Sequence, residues 1–167
     1  MGKLSHFDET GASRMVDVSE KEATLRTARA SGSVRMNPAT LALLRDRGLA
    51  KGDVLEVSRL AGIMGAKRTG ELIPLCHPLG LDGVELSLRA EEPDHVRVEA
   101  VVKTVGRTGV EMEALVAVTT ACLTVYDMCK AVDREMVIEE VRLEEKTGGR
   151  RGTYRRSAAE VPAPEAG

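Results

Sequence analysis

Cys76 and His77 stand side by side in ELIPLCHPLGLDG (Glu71–Gly83), with Pro74 and Pro78 on either side. Prolines fix φ and push the preceding residue toward extended backbone, so two reactive side chains sit on a stiff loop that cannot continue a helix. A metal site, a nucleophile and a substrate clamp are the chemistries such a pair could serve. A metal would need further ligands at suitable spacing, and His6, His95, Cys122 and Cys129 are not so placed. As a nucleophile Cys76 would need a base beside it, yet neighbours on an extended segment point to opposite sides. The expectation is one side chain toward the core and the other toward a cleft, with histidine the better donor, acid or base. A proline-stiffened connection with a packed cysteine and a surface histidine is the plain structural alternative.

Two further clusters carry charge at helical spacing. In TGVEMEAL (Thr108–Leu115), Glu111 and Glu113 sit at a helix start, where the dipole favours carboxylates and where backbone N–H groups could instead hold a ligand. In LTVYDMCKAVDRE, Asp127 and Lys130 share a helix face among apolar neighbours. They are either a simple salt bridge or a partly desolvated pair tuned for proton transfer. At about 1.5 Å per residue, Glu113 and Asp127 lie roughly 21 Å apart on one helix stripe, so one small reacting centre cannot touch both from the same chain. Lys51, Lys67, Lys146, Arg150 and Arg151 fall at turns and element ends. GLAKGD and KTGGRRG set cations beside glycines, where backbone can approach phosphate, but neither is a GxxxxGK[ST] loop.

The elements that must position these residues follow from periodicity and punctuation. Residues 1–13 read as a flexible N-terminal arm, 14–156 as a single domain and 157–167 as a disordered tail. Glu22–Met36 alternates as a strand loosened by Gly32, and Asn37-Pro38 opens a short helix ending at Gly48. A second helix starts near Asp53 and ends through Gly70 and Pro74. Gly83–Ala90 and His95–Val105 form a hairpin, residues 111–131 an apolar helix, and Met136–Lys146 a last strand, after which the chain frays. Right-handed crossovers turn this order into an α+β, ferredoxin-like βαββαβ sandwich with an extra helix. The helix at 111–131 is apolar nearly all round, which one sheet cannot cover, so an oligomer is expected.

Composition narrows the function classes. The chain has 167 residues, 2% aromatic content and a net charge of −2, which disfavours nucleic acid and anionic membrane as partners. No apolar run is expected to span a bilayer, and the N-terminus lacks a signal-peptide core. Three cysteines without CxxC spacing fit a reducing cytoplasm better than a disulfide framework. An RNA-binding tail (TGGRRGTYRR) and a nucleotide-binding regulatory oligomer are the readings from other classes.

Six segments in order carry a resemblance: RMVDVS (Arg14–Ser19), KGDV (Lys51–Val54), AGIMGAKRT (Ala61–Thr69), LIPLCHPL (Leu72–Leu79), TGVEMEAL and LTVYDMCKAV (Leu123–Val132). Together they resemble the cyclic pyranopterin monophosphate synthase family of molybdenum cofactor biosynthesis, from about residue 4 to 155. The resemblance implies a ferredoxin-like subunit in a homohexamer built as a trimer of dimers, with active sites at dimer interfaces. It implies a lyase that converts 3′,8-cyclo-7,8-dihydroguanosine 5′-triphosphate to cyclic pyranopterin monophosphate and pyrophosphate. The catalytic positions it implies are Asp127, Lys130 and Lys51, and the substrate-binding positions are Leu75, Cys76, His77, Met112, Glu113, Glu111, Lys67 and Lys146. No metal or other cofactor is implied. In that setting the prolines hold His77 against a polar, charged substrate, and Cys76 lines the wall rather than attacking.

Overall fold

The computed structural model describes residues 6–45, 53–150 and 152–157; Lys51, Gly48, Arg151, the first five residues of the arm and the tail from 158 onward lie outside the described residues. The elements are β1 (Thr24–Arg35), α1 (Pro38–Arg45), α2 (Val54–Lys67), α3 (Thr69–Leu72), β2 (Gly83–Glu91), β3 (His95–Gly106), α4 (Glu111–Cys129), β4 (Val137–Thr147) and β5 (Tyr154–Arg155). The strands form one antiparallel sheet in the order β2-β3-β1-β4-β5, an α+β arrangement with α2 and α4 packed together over the sheet.

Each element starts where its chemistry permits. Asp53 caps α2, its Oδ1 accepting from the N–H groups of Leu55 (3.0 Å) and Glu56 (3.2 Å). The buried carboxylate of Asp133 does similar work for α1, accepting from Asn37 N–H at 2.8 Å and the Thr40 hydroxyl at 3.2 Å. That contact ties the start of α1 to the turn between α4 and β4. In β3, Val96, Val98, Ala100 and Val102 alternate onto the core face while charged residues take the other.

With so few aromatics, the core is built from valine, alanine and other small residues, and the helices come unusually close to what they cover. Gly32 does not simply loosen β1: a Cβ there would stand 2.7 Å from Val118 Cγ1 of α4. On α2, a Cβ at Gly62 would stand 2.8 Å from the Ala117 carbonyl oxygen, and one at Gly65 would stand 2.9 Å from Thr120 Cβ. The glycines are thus sites of backbone approach, and Ala114, Ala117 and Ala121 supply the matching small surface on α4.

Three expectations are corrected. α2 does not run to Gly70; it stops at Lys67, Thr69 bonds back to Ala66 O at 3.0 Å, and the short α3 follows. The segment after β4 does not simply fray, because Tyr154–Arg155 pairs with Glu145 and Lys146, and Arg156 N–H donates to Glu144 O at 2.8 Å. Two residues of edge strand carry too little alternation to be seen in sequence. Finally, α4 is long and apolar enough to cross a membrane by composition, contrary to expectation, but half of it is buried as a core helix against α2 and the sheet.

The α2–α4 contact generates a test. Alanine favours a helix interior over glycine by about 1 kcal/mol, yet a methyl forced against the Ala117 carbonyl costs about 1–3 kcal/mol. Gly62→Ala is therefore expected to lower the stability measured by urea denaturation, and a variant more stable than wild type would contradict the close approach.

Candidate functional site

The loop between α3 and β2 folds back on itself before it extends. Cys76 N–H donates to Ile73 O at 3.0 Å, closing a turn over the Ile73-Pro74-Leu75-Cys76 segment. Cys76 and His77 both line one cavity. The imidazole of His77 reaches across to the N-terminal segment, where Nε2 lies 2.8 Å from Val16 O. A carbonyl oxygen only accepts, so Nε2 carries the hydrogen in this contact, and in the neutral ring Nδ1 is then the acceptor.

The cavity, about 960 Å³, is walled by this loop, by the first turn of α4 and by the end of β4. Leu75, Cys76 and His77 come from the loop; Glu111, Met112 and Glu113 come from α4; Lys146 comes from β4. These seven residues, separated by up to 71 positions in the chain (146 minus 75), converge because β4 runs antiparallel to β1 while α4 crosses the same end of the sheet. Lys146 Nζ lies 3.0 Å from Glu111 Oε1, an ion pair with both partners half-buried.

Glu113 is the unusual charge. It is 4% exposed, and burial raises its pKa above the ordinary glutamate value, partly offset by a hydrogen bond from its own backbone N–H. Such a carboxyl holds its proton to a higher pH than an ordinary glutamate does. Burial also pushes the Cys76 thiol up, and the nearby Glu113 charge adds to that shift, so the thiol stays protonated and is a poor nucleophile. Cys122 is a core side chain, its thiol pushed up to about 12 by burial.

Four cations on the cavity wall were not anticipated as site residues or were seen only as scattered charge: Lys21, Arg26, Arg107 and Arg150. None pairs with a carboxylate among the described residues, whereas other arginines of the sheet are bridged to glutamates. Arg107, in GRTG just before α4, is the one a reader of the sequence could have found, since that turn leads directly into a helix N-terminus. Arg26 lies within a strand and gives no local signal. Among the described residues, no three His, Cys, Asp or Glu side chains converge as a metal site would require.

The remaining positions lie elsewhere. Lys67 is exposed at the last turn of α2 and is not on the cavity. Lys130 Nζ donates to Asp127 Oδ1 at 2.6 Å, at the far end of α4 from Glu113. The pair is not desolvated within this chain: the side chains are 69% (Asp127) and 55% (Lys130) exposed. The apolar neighbours that suggested burial, Leu123 and Val132, are themselves exposed, while Val125 and Cys129 take the buried positions of the same stretch. Lys51 lies outside the described residues.

A raised carboxyl pKa has a definite sign for stability. The native state holds the Glu113 proton more tightly than the unfolded chain, so stability falls as pH rises from the ordinary value of 4.5 through the raised one, and the deficit remains above it. Glu113→Gln is expected to stabilise the protein by about 0.5–2 kcal/mol at neutral pH and by much less below pH 4.5. Denaturant titrations at the two pH values check this; a glutamine variant equally destabilised at both would contradict a buried, desolvated carboxyl.

Relatives place this arrangement among known proteins. A sequence profile described as the MoaC family matches residues 15–149. The chain is 61% identical over 158 residues to "Cyclic pyranopterin monophosphate synthase 1" of Mycobacterium tuberculosis, covering 95% of this chain and 93% of that protein. It is 59% identical over 160 residues to the cyclic pyranopterin monophosphate synthase of Streptomyces griseus, covering 96% and 90%. The corresponding figures for the Parvibaculum lavamentivorans protein of that name are 60% over 154 residues, 92% and 96%. The matched residues span the loop, the start of α4 and the end of β4, and the chain belongs to the MoaC family.

Proposed function

We propose that this chain is a cyclic pyranopterin monophosphate synthase, a lyase of molybdenum cofactor biosynthesis. It converts 3′,8-cyclo-7,8-dihydroguanosine 5′-triphosphate to cyclic pyranopterin monophosphate and releases pyrophosphate. The single observation that carries this reading is the cavity, which a buried carboxyl shares with Lys21, Arg26, Arg107 and Arg150. A polar ring system with a triphosphate needs both features. The conversion is redox-neutral, so it requires no electron carrier; its demand is for charge stabilisation and proton movement.

The roles divide accordingly. Loss of pyrophosphate breaks a phosphorus–oxygen bond and leaves charge on the departing group, which the wall cations offset. Glu113, Met112 and the Leu75-Cys76-His77 segment face the ring end, with His77 Nδ1 free to accept and Glu113 able to donate or accept. Lys146, steered by Glu111, adds a further cation. Proton transfer falls to the Asp127–Lys130 pair and Lys51, with Lys67 a further substrate contact.

One chain cannot bring its own Asp127 to its own Glu113, since about four turns of rigid helix separate them. The site is therefore completed by a second copy, in a ferredoxin-like subunit of a homohexamer arranged as a trimer of dimers in the cytoplasm. The β2-β3-β1-β4 strand order supports the ferredoxin-like part, and the exposed apolar Leu123 and Val132 beside the Asp127–Lys130 pair support burial of that end by a neighbour.

Wild-type protein is expected to form cyclic pyranopterin monophosphate from the cyclised triphosphate in an assay with product identified by mass spectrometry. Asp127→Asn is expected to lower turnover by about a hundredfold to ten-thousandfold, the range for removing a positioned acid–base group, with unchanged hydrodynamic size. No product from wild type, or undiminished turnover in the variant, would overturn the assignment.

A further inference from the structure

The turn after β4 contains two glycines whose side-chain space is taken by other groups. Gly148 (φ +91°) and Gly149 (φ +77°) both hold left-handed backbone. A Cβ on Gly148 would overlap the Leu25 carbonyl oxygen, while one on Gly149 would overlap Arg26 Nη1 and stand 2.7 Å from its Cζ. The two contacts differ in kind. Leu25 O belongs to a strand paired with β3 and cannot retreat, so bulk at 148 strains the fold. The Arg26 guanidinium is the free end of a long side chain, so bulk at 149 moves the guanidinium instead.

Arg26 is held from two directions. Its Nε donates to Gly106 O at 3.3 Å, at the end of β3, and its guanidinium lies against the Gly149 backbone at the end of β4. Arg26, Gly148, Gly149 and Arg150 all line the cavity, and Arg26 has no carboxylate partner among the described residues. The glycines of KTGGRRG make room for a cation that arrives from another strand.

We propose that Gly149 is a positioning residue: the absence of a side chain there sets the Arg26 guanidinium at the point on the cavity wall where it meets the phosphate end of the ligand. This rests on the anionic substrate proposed above. The backbone conformation alone does not require glycine, because asparagine also tolerates positive φ. Gly149→Asn therefore keeps the turn and fills the space, and Gly149→Ala fills the space with the smallest group.

The test is a double-mutant cycle on the full chain, read by calorimetric titration with inorganic pyrophosphate. Arg26→Ala and each Gly149 variant alone are expected to weaken pyrophosphate binding by about tenfold to a hundredfold, the range for a charge-assisted contact. In the Arg26→Ala background, Gly149→Ala or Gly149→Asn is expected to cost nothing more. A purely structural glycine would cost the same with or without Arg26, and that additivity would overturn the proposal. Wild-type-like binding by both Gly149 variants, or no pyrophosphate binding by wild type, would overturn it too. Turnover of the cyclised triphosphate, measured on the same samples, separates the two levels. Active wild type with an additive cycle refutes only the role of Gly149; coupled binding without wild-type turnover refutes only the proposed reaction.

Discussion

The closeness with which α4 lies against α2 and the sheet is the constraint on which the site depends. Gly62, Gly65 and Gly32 remove the side chains that would hold the helix off, and alanines on α4 complete the fit. A helix packed that tightly cannot slide or tilt without opening voids, and each void costs free energy roughly in proportion to its volume. Its first turn is therefore presented rigidly to the cavity, which places Glu113 where burial raises its pKa. The same rigidity sends Asp127 and Lys130 to the opposite end, exposed in this chain.

The electrostatics of the cavity run against stability. A nearly buried carboxyl, and several cations with no ion-pair partner among the described residues, are arrangements that a fold optimised for stability alone would avoid. Elsewhere in the sheet, arginines pair with glutamates, across strands for Arg89–Glu99 and Arg97–Glu91 and within β4 for Arg142–Glu144. Four cations without an ion-pair partner among the described residues thus share one cavity wall, an arrangement suited to an anion.

Much of this was legible in the sequence. The strand and helix order, the hairpin, and the start of α2 at Asp53 follow from alternation, turn residues and capping, all of which are local. The α+β architecture follows in turn. The residues on the cavity from the LCHP loop, the start of α4 and Lys146 were picked from motifs. What local reasoning missed depended on through-space contacts. The loop turns at Ile73–Cys76 and brings both Cys76 and His77 to one cavity, Gly32 clears a path for Val118, and β5 exists only because β4 offers an edge. Apolar neighbours of Asp127 suggested burial, but hydrophobic residues beside a charge do not say whether one chain or two will cover it.

The central claim is that the Glu113 end of one chain and the Asp127 end of another meet in one site. Mixing two inactive variants tests it most directly. Glu113→Gln and Asp127→Asn protein would be dissociated together, reassociated, and assayed for cyclic pyranopterin monophosphate formation. Random pairing of two-fold dimers gathers both defects in one site of each mixed dimer and leaves its other site whole, so activity should return to about a quarter of wild type. No recovery, with mixed assemblies verified by native mass spectrometry, would contradict the shared site.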